Sequence, residues 1–161
     1  MTLIANELYL IDGFKDTFVV SYADRQLTYR NEKNPKKKYI KGRKLFKIEH
    51  LNSTVSFWGA TLVMKERKTE LLNSWLPNYI KKSSQHKTLL EFATNLRNEL
   101  NLVMSKDQLK VEPSGFHLAG ISSNGIPEFI HFSNCSHNPK IGGYDNILDH
   151  YKEPSQDFLS R

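Results

Sequence analysis

At 161 residues, with 39% hydrophobic and 25% charged side chains, the chain has the composition of an ordinary globular protein, long enough for one domain that buries roughly two-thirds of its unfolded surface. No apolar run approaches the ~18 residues of a membrane-spanning helix, and a single cysteine, Cys135, rules out an internal disulfide. The net charge of +6 is concentrated in Lys33, Lys36, Lys37, Lys38, Lys41, Arg43 and Lys44, but Tyr39 is the one interleaved aromatic and no nucleic-acid motif is present, so the cluster reads as a solvated basic loop around Asn34-Pro35 and Gly42.

The start, MTLIANELYLIDGF, has no basic leader before an apolar core and carries Glu7 and Asp12; an unprocessed, cytoplasmic chain is expected. Residues 2–11 read as a strand that stops at Asp12-Gly13, a dipeptide suited to the positive φ angles of a tight hairpin turn. Thr17 to Ala23 is β-branched and aromatic and delivers Asp24-Arg25 at its end. After the basic loop, Lys44 to Ile48 and Thr54 to Ala60 read as two more strands, joined by His50 to Ser53. From Thr61 the period changes: Leu62, Met64, Leu71, Leu72, Trp75 and Leu76 predict an amphipathic helix over 61–82 that Pro77 should end or kink. Ser83-Ser84 offer a cap to a second helix over 84–104, with Leu89, Leu90, Phe92, Ala93, Leu96, Leu100 and Val103 mainly on one side. A hairpin returns at Gly115 to Ile121, turns through Ser123-Asn124-Gly125 and resumes at Ile126 to Phe132. Residues 134–161 read as a polar tail with at most a short helix near Tyr144 to Tyr151.

Position two carries the most specific chemistry. If Met1 is removed, as happens readily before small residues, Thr2 becomes both nucleophile and base. A hydroxyl needs a neighbouring base to take its proton, and an α-amino group, with an ordinary pKa near ~8, is poised to do so at neutral pH.

Thr2-Leu3-Ile4-Ala5, Tyr22-Ala23-Asp24-Arg25, Lys44-Leu45-Phe46-Lys47-Ile48, Phe57-Trp58-Gly59-Ala60 and Phe116-His117-Leu118-Ala119-Gly120-Ile121 follow one another in an order that resembles the proteasome β-subunits and their bacterial relatives, within the N-terminal nucleophile (Ntn) hydrolases. The match runs over residues 2–133. The resemblance implies an α+β fold, a proteasome-like sandwich of two antiparallel sheets flanked by helices, with 1–161 forming a single such domain. It implies a threonine-type hydrolase acting on a peptide or amide, with Thr2 as nucleophile, Asp24 as an orienting carboxylate, Lys44 as a fixed cation and Gly59 as an oxyanion donor, and no cofactor. A lysine cation disfavours protonation of the nearby amine, a carboxylate balances it, and a backbone N–H can meet the oxyanion of a tetrahedral intermediate.

The residues also admit plainer readings. Asp24-Arg25 could be a strand-end turn with a surface ion pair, Lys44 the last of the basic cluster, and Gly59 a strand-to-helix turn. The family's supporting Ser and Asp-x-x-Ser of the second half do not appear in these 161 residues, and Ile141-Gly142-Gly143 lacks the serine of the family's Gly-Ser-Gly. The chain thus reads as a truncated or degenerate member, with a catalytically inactive subunit or interaction domain as the alternative to the enzyme. The second helical layer is expected to be reduced or missing, which would leave a sheet face through which the chain forms a homo-oligomer; an ATPase partner fits the resemblance, no membrane partner is expected, and a basic nucleic-acid-binding protein is the weaker remaining alternative. His131, Cys135 and His137 are irregularly spaced and lack a second cysteine pair, so they read as a polar loop rather than a metal site.

Overall fold

A computed structural model of the protein describes residues 3–11, 16–31, 34–65 and 68–156, with the backbone alone described for 28–31, 34–40, 65 and 68. The β-branched and aromatic runs near the start form β1 (Ile4–Ile11) and β2 (Asp16–Ala23), an antiparallel hairpin in continuous register from Ile4 opposite Ala23 to Ile11 opposite Asp16. The expected Asp12-Gly13 turn lies outside the described residues. The basic stretch is not a loop: Gln26–Asn31 (β3) and Asn34–Lys41 (β4) pair as a second hairpin. A two-stranded ladder has two free edges, where lysine and proline are both tolerated. Lys33 lies outside the described residues.

Leu45–Ile48 (β5) and Ser53–Trp58 (β6) follow as expected, joined by a single 3-10 turn at Glu49–Leu51. The expected helix over 61–82 is corrected in its first half, where Leu62–Lys65 (β7) and Lys68–Leu71 (β8) form a hairpin. Val63 is fully buried while Met64 is 47% exposed, the period-2 alternation of a strand. The helix itself is α1, Leu72–Lys82, and it runs through Pro77 rather than ending there.

The second helix, α2 (Leu89–Val103), starts five residues later than its expected Ser83-Ser84 cap. Thr88 is the cap, accepting from the Glu91 N–H, and Glu91 accepts in turn from the Lys87 N–H. Ser83 instead ends α1, donating its hydroxyl to the Tyr79 carbonyl. A short helix not anticipated from the sequence, α3 (Lys106–Val111), is capped by Ser105. Then come β9 (Gly115–Ile121) and β10 (Pro127–Ser133). The tail is more ordered than its polarity suggests: it forms β11 (Ser136–Asn138), β12 (Gly143–Asp145) and β13 (Ser155–Gln156), and no helix occurs among its described residues.

β5, β6, β9, β10 and β13 make one antiparallel sheet in the order β13-β10-β9-β6-β5. Phe46, Ile48, Val55, Phe57, Phe116, Leu118, Ile130 and Phe132 join Leu89, Phe92, Ala93, Leu96, Leu100 and Val103 in one core cluster, so α2 covers one face of the sheet. By alternation Thr54 points to the other face, where its hydroxyl meets that of Ser21 on β2 at 2.8 Å. The β1–β2 hairpin therefore packs on the side away from α2. On its outer side Tyr9 and Phe18 stack at 4.9 Å, and both remain exposed together with Ile11 and Tyr22. The fold is α+β, with helices against one face of an antiparallel sheet and a hairpin against the other. No helix among the described residues is long and apolar enough to cross a membrane.

Asn134 and Tyr151, both fully buried, join the tail to this core. The Asn134 amide donates to the carbonyls of Leu109 and Glu112 at 2.7 and 3.1 Å and accepts the Ser114 N–H at 2.8 Å. The Tyr151 hydroxyl sits 2.8 Å from that of Ser114, and Asn101 exchanges hydrogen bonds with the Tyr151 backbone. Buried polar groups that lose their partners cost about 1–3 kcal/mol each. Asn134→Ala should therefore lower the unfolding free energy by about 3 kcal/mol in a denaturant titration; a loss under about 1 kcal/mol would show that the side chain does not tie the tail to the fold.

Candidate functional site

The end of β2, the approach to β5 and the first described residue meet at one carboxylate. Asp24 Oδ1 accepts from the Lys44 ammonium at 2.7 Å and from the Gln26 N–H at 2.9 Å, while Oδ2 accepts from the Leu3 N–H at 2.7 Å. The Asp24 N–H returns a bond to the Leu3 carbonyl at 2.9 Å, so the two backbones are locked together. Lys44 is 3% exposed and Asp24 25%. Partial burial works against the charged carboxylate, but the hydrogen bonds from Lys44, Leu3 and Gln26 and the charge of Lys44 outweigh it and hold Asp24 below the ordinary carboxylate range. Lys47, by contrast, is 63% exposed and pairs with Glu49 at 3.9 Å. The two lysines of the same segment thus have opposite environments.

Of the four residues singled out from the sequence, Asp24 and Lys44 are in direct contact, Gly59 lines a cavity with Lys44, and Thr2 lies outside the described residues. That cavity, of about 560 Å³, is lined by Ile4, Gln26, Lys44, Trp58, Gly59, Thr61, Pro113, His117 and Tyr144 among others. Gly59 has φ +81°, and a Cβ there would run into the Pro113 carbonyl oxygen and Ser114. Glycine is thus required by the backbone and by the close approach of the segment leading into β9. The same turn leaves Gly59 at the cavity wall.

Trp58, Thr61, His117 and Tyr144 were not anticipated. His117 was within reach of pattern reasoning, because Phe116-His117-Leu118 places it alone on the polar side of an alternating strand. Tyr144 was not, since its place on Trp58, with ring centroids 4.7 Å apart, depends on the β11–β12 hairpin. Cys135 is buried, and burial pushes its thiol up, which disfavours the reactive thiolate. His131 lies on β10 and His137 on β11; among the described residues no group of three or more His, Cys, Asp or Glu side chains is arranged to hold a metal.

The lowered pKa of Asp24 fixes the sign of its contribution to stability. A carboxylate held below its unfolded value, near ~3.9, stabilises the fold fully above that pH and loses the contribution as pH falls through the native pKa. The stability gap between the wild type and Asp24→Asn, followed by thermal unfolding, should be widest above about pH 4 and should shrink in more acidic buffer. A gap of constant size across that window would mean that the carboxylate charge is not what Asp24 contributes.

Comparison of the chain with protein-family models, with curated proteins and with solved structures returned no match.

Proposed function

We propose that the chain is a proteasome-like threonine hydrolase of the Ntn type, cleaving a peptide or amide bond with Thr2 once Met1 has been removed. The observation that carries this reading is the double use of Asp24. One of its oxygens holds the buried Lys44 cation, and the other holds the Leu3 nitrogen, the atom to which the carbonyl carbon of Thr2 is bonded in the sequence. The carboxylate thereby links the lysine to the start of the chain, as a fixed cation serving an N-terminal amine requires. In this reading the β1–β2 hairpin and the five-stranded sheet correspond to the two sheets of the Ntn sandwich, with helices on one outer face.

The chemistry follows from the parts. The Thr2 hydroxyl attacks the substrate carbonyl carbon and gives its proton to the Thr2 α-amine. Lys44 disfavours the protonated amine by like-charge repulsion, and Asp24 balances Lys44. The Gly59 N–H donates to the tetrahedral oxyanion. Collapse expels the amine product carrying the transferred proton and leaves an ester on Thr2, which water hydrolyses. A second reading, a catalytically silent subunit, is favoured by one observation: the positive φ and tight packing of Gly59 against Pro113 explain that glycine without any substrate.

An electrophile that captures N-terminal threonine through both hydroxyl and amine distinguishes the two. Intact mass should show Met1 absent and one adduct on Thr2, which is lost in Thr2→Ala, falls by at least about tenfold in rate in Lys44→Ala and is retained in Lys47→Ala. Retained Met1, or a folded and processed protein that takes no adduct, removes the enzyme reading and leaves the silent subunit.

A further inference from the structure

Trp58, His117 and Tyr144 line not only the Lys44–Gly59 cavity but also a second one, likewise of about 560 Å³. Its floor is a product of strand register. His117 on β9 and His131 on β10 are direct cross-strand partners. Because Phe116, Leu118, Ile130 and Phe132 belong to the core, alternation turns both imidazoles to the opposite face, with ring centroids 6.1 Å apart and the planes 26° from parallel. Trp58 stands between the two cavities. Tyr144 covers one part of its indole, and a Cβ at Gly115 would run into the ring, so the glycine lets the indole lie against β9.

The tail supplies the remaining wall. Lys152 donates to the neutral hydroxyl of Ser136 at 2.8 Å, so that hydrogen bond does not offset its charge. Glu153, the carboxylate of this lining, is paired with Arg97. The Ser155 hydroxyl lies 3.1 Å from the His131 ring nitrogens. Among the described residues the cavity thus combines aromatic walls with a lysine cation and imidazoles, and the one acidic side chain of that lining is already engaged. A group with an apolar stem and an anionic tip matches both properties.

We infer that this second cavity is a subsite for a carboxylate-bearing side group, carried by the substrate amide next to the bond cleaved at the first cavity. The assignment to a substrate rests on the hydrolase reading, whereas the subsite itself rests on the cavity and its charges.

Glutarate and its uncharged counterpart glutaramide, titrated into the full chain, test it by binding alone. Glutarate should shift the imidazole NMR resonances of His117 and His131 saturably. Glutaramide, and glutarate with Lys152→Met or His131→Gln, should bind at least about tenfold more weakly, as expected when a hydrogen bond to a charged group is lost. Thermal unfolding identifies which variants are folded, and either one suffices. An absent response to glutarate, an equal response to glutaramide, or unchanged binding in a folded variant overturns the subsite. Glutarate binding without a Thr2 adduct sinks the hydrolase reading alone; a Thr2 adduct without glutarate binding sinks the subsite alone.

Discussion

A lysine ammonium that is 3% exposed needs a partner, and among the described residues Asp24 supplies one at 2.7 Å. Removing one member of a buried ion pair commonly costs about 3–5 kcal/mol, because the other charge is left without solvent or counter-ion. The pair is therefore a constraint on everything attached to it. Asp24 directly follows β2, Lys44 leads into β5, and the Leu3 N–H completes the carboxylate's hydrogen bonds. The contacts of this one carboxylate thus set Leu3, the first hairpin and the edge of the five-stranded sheet in a common frame. Ser21 and Thr54 pin the same hairpin to the sheet a few residues away.

The cavity beside the pair follows from this frame and from a second set of buried polar contacts. Gly59 turns at φ +81° close against Pro113 in the segment before β9, and Asn134 holds that segment by accepting the Ser114 N–H and donating to the Glu112 carbonyl. Tyr151 reaches the same Ser114 from the tail. Residues 134–156 thus contribute to the wall of the candidate site through Tyr144, while Asn134 and Tyr151 hold the segment that Gly59 packs against. The core under the sheet supplies the stiffness, and the polar anchors determine which groups face the cavity.

Much of this was legible in the sequence, for physical reasons that can be named. The strands β1, β2, β5, β6, β9 and β10 show β-branched or alternating runs with clear turn residues between them, and α2 has a continuous apolar stripe. The pairing of Asp24 with Lys44 came from the order of the motifs and not from any local signal, since twenty residues separate them. The failures are equally specific. Leu62 and Met64 fit a helical stripe only when Val63 is ignored, and burial of Val63 marks a strand. The run of lysines hid a hairpin because charge reports solvation and not backbone conformation. The tail was opaque because Asn134 and Tyr151 find their partners on α2, α3 and the segment leading into β9, and no pattern within the tail announces them.

At the centre stands the claim that Lys44 conditions the amine of Thr2. The direct measurement is the pKa of the α-amino group in the Met-processed protein, obtained by NMR titration of a specifically labelled Thr2, in the wild type and in Lys44→Met. An ordinary α-amino group titrates near ~8. A value clearly below that in the wild type, returning toward it in Lys44→Met, is the expected result. An amine that titrates at its ordinary value in both proteins would contradict the role given to Lys44, and with it the proposed chemistry of Thr2.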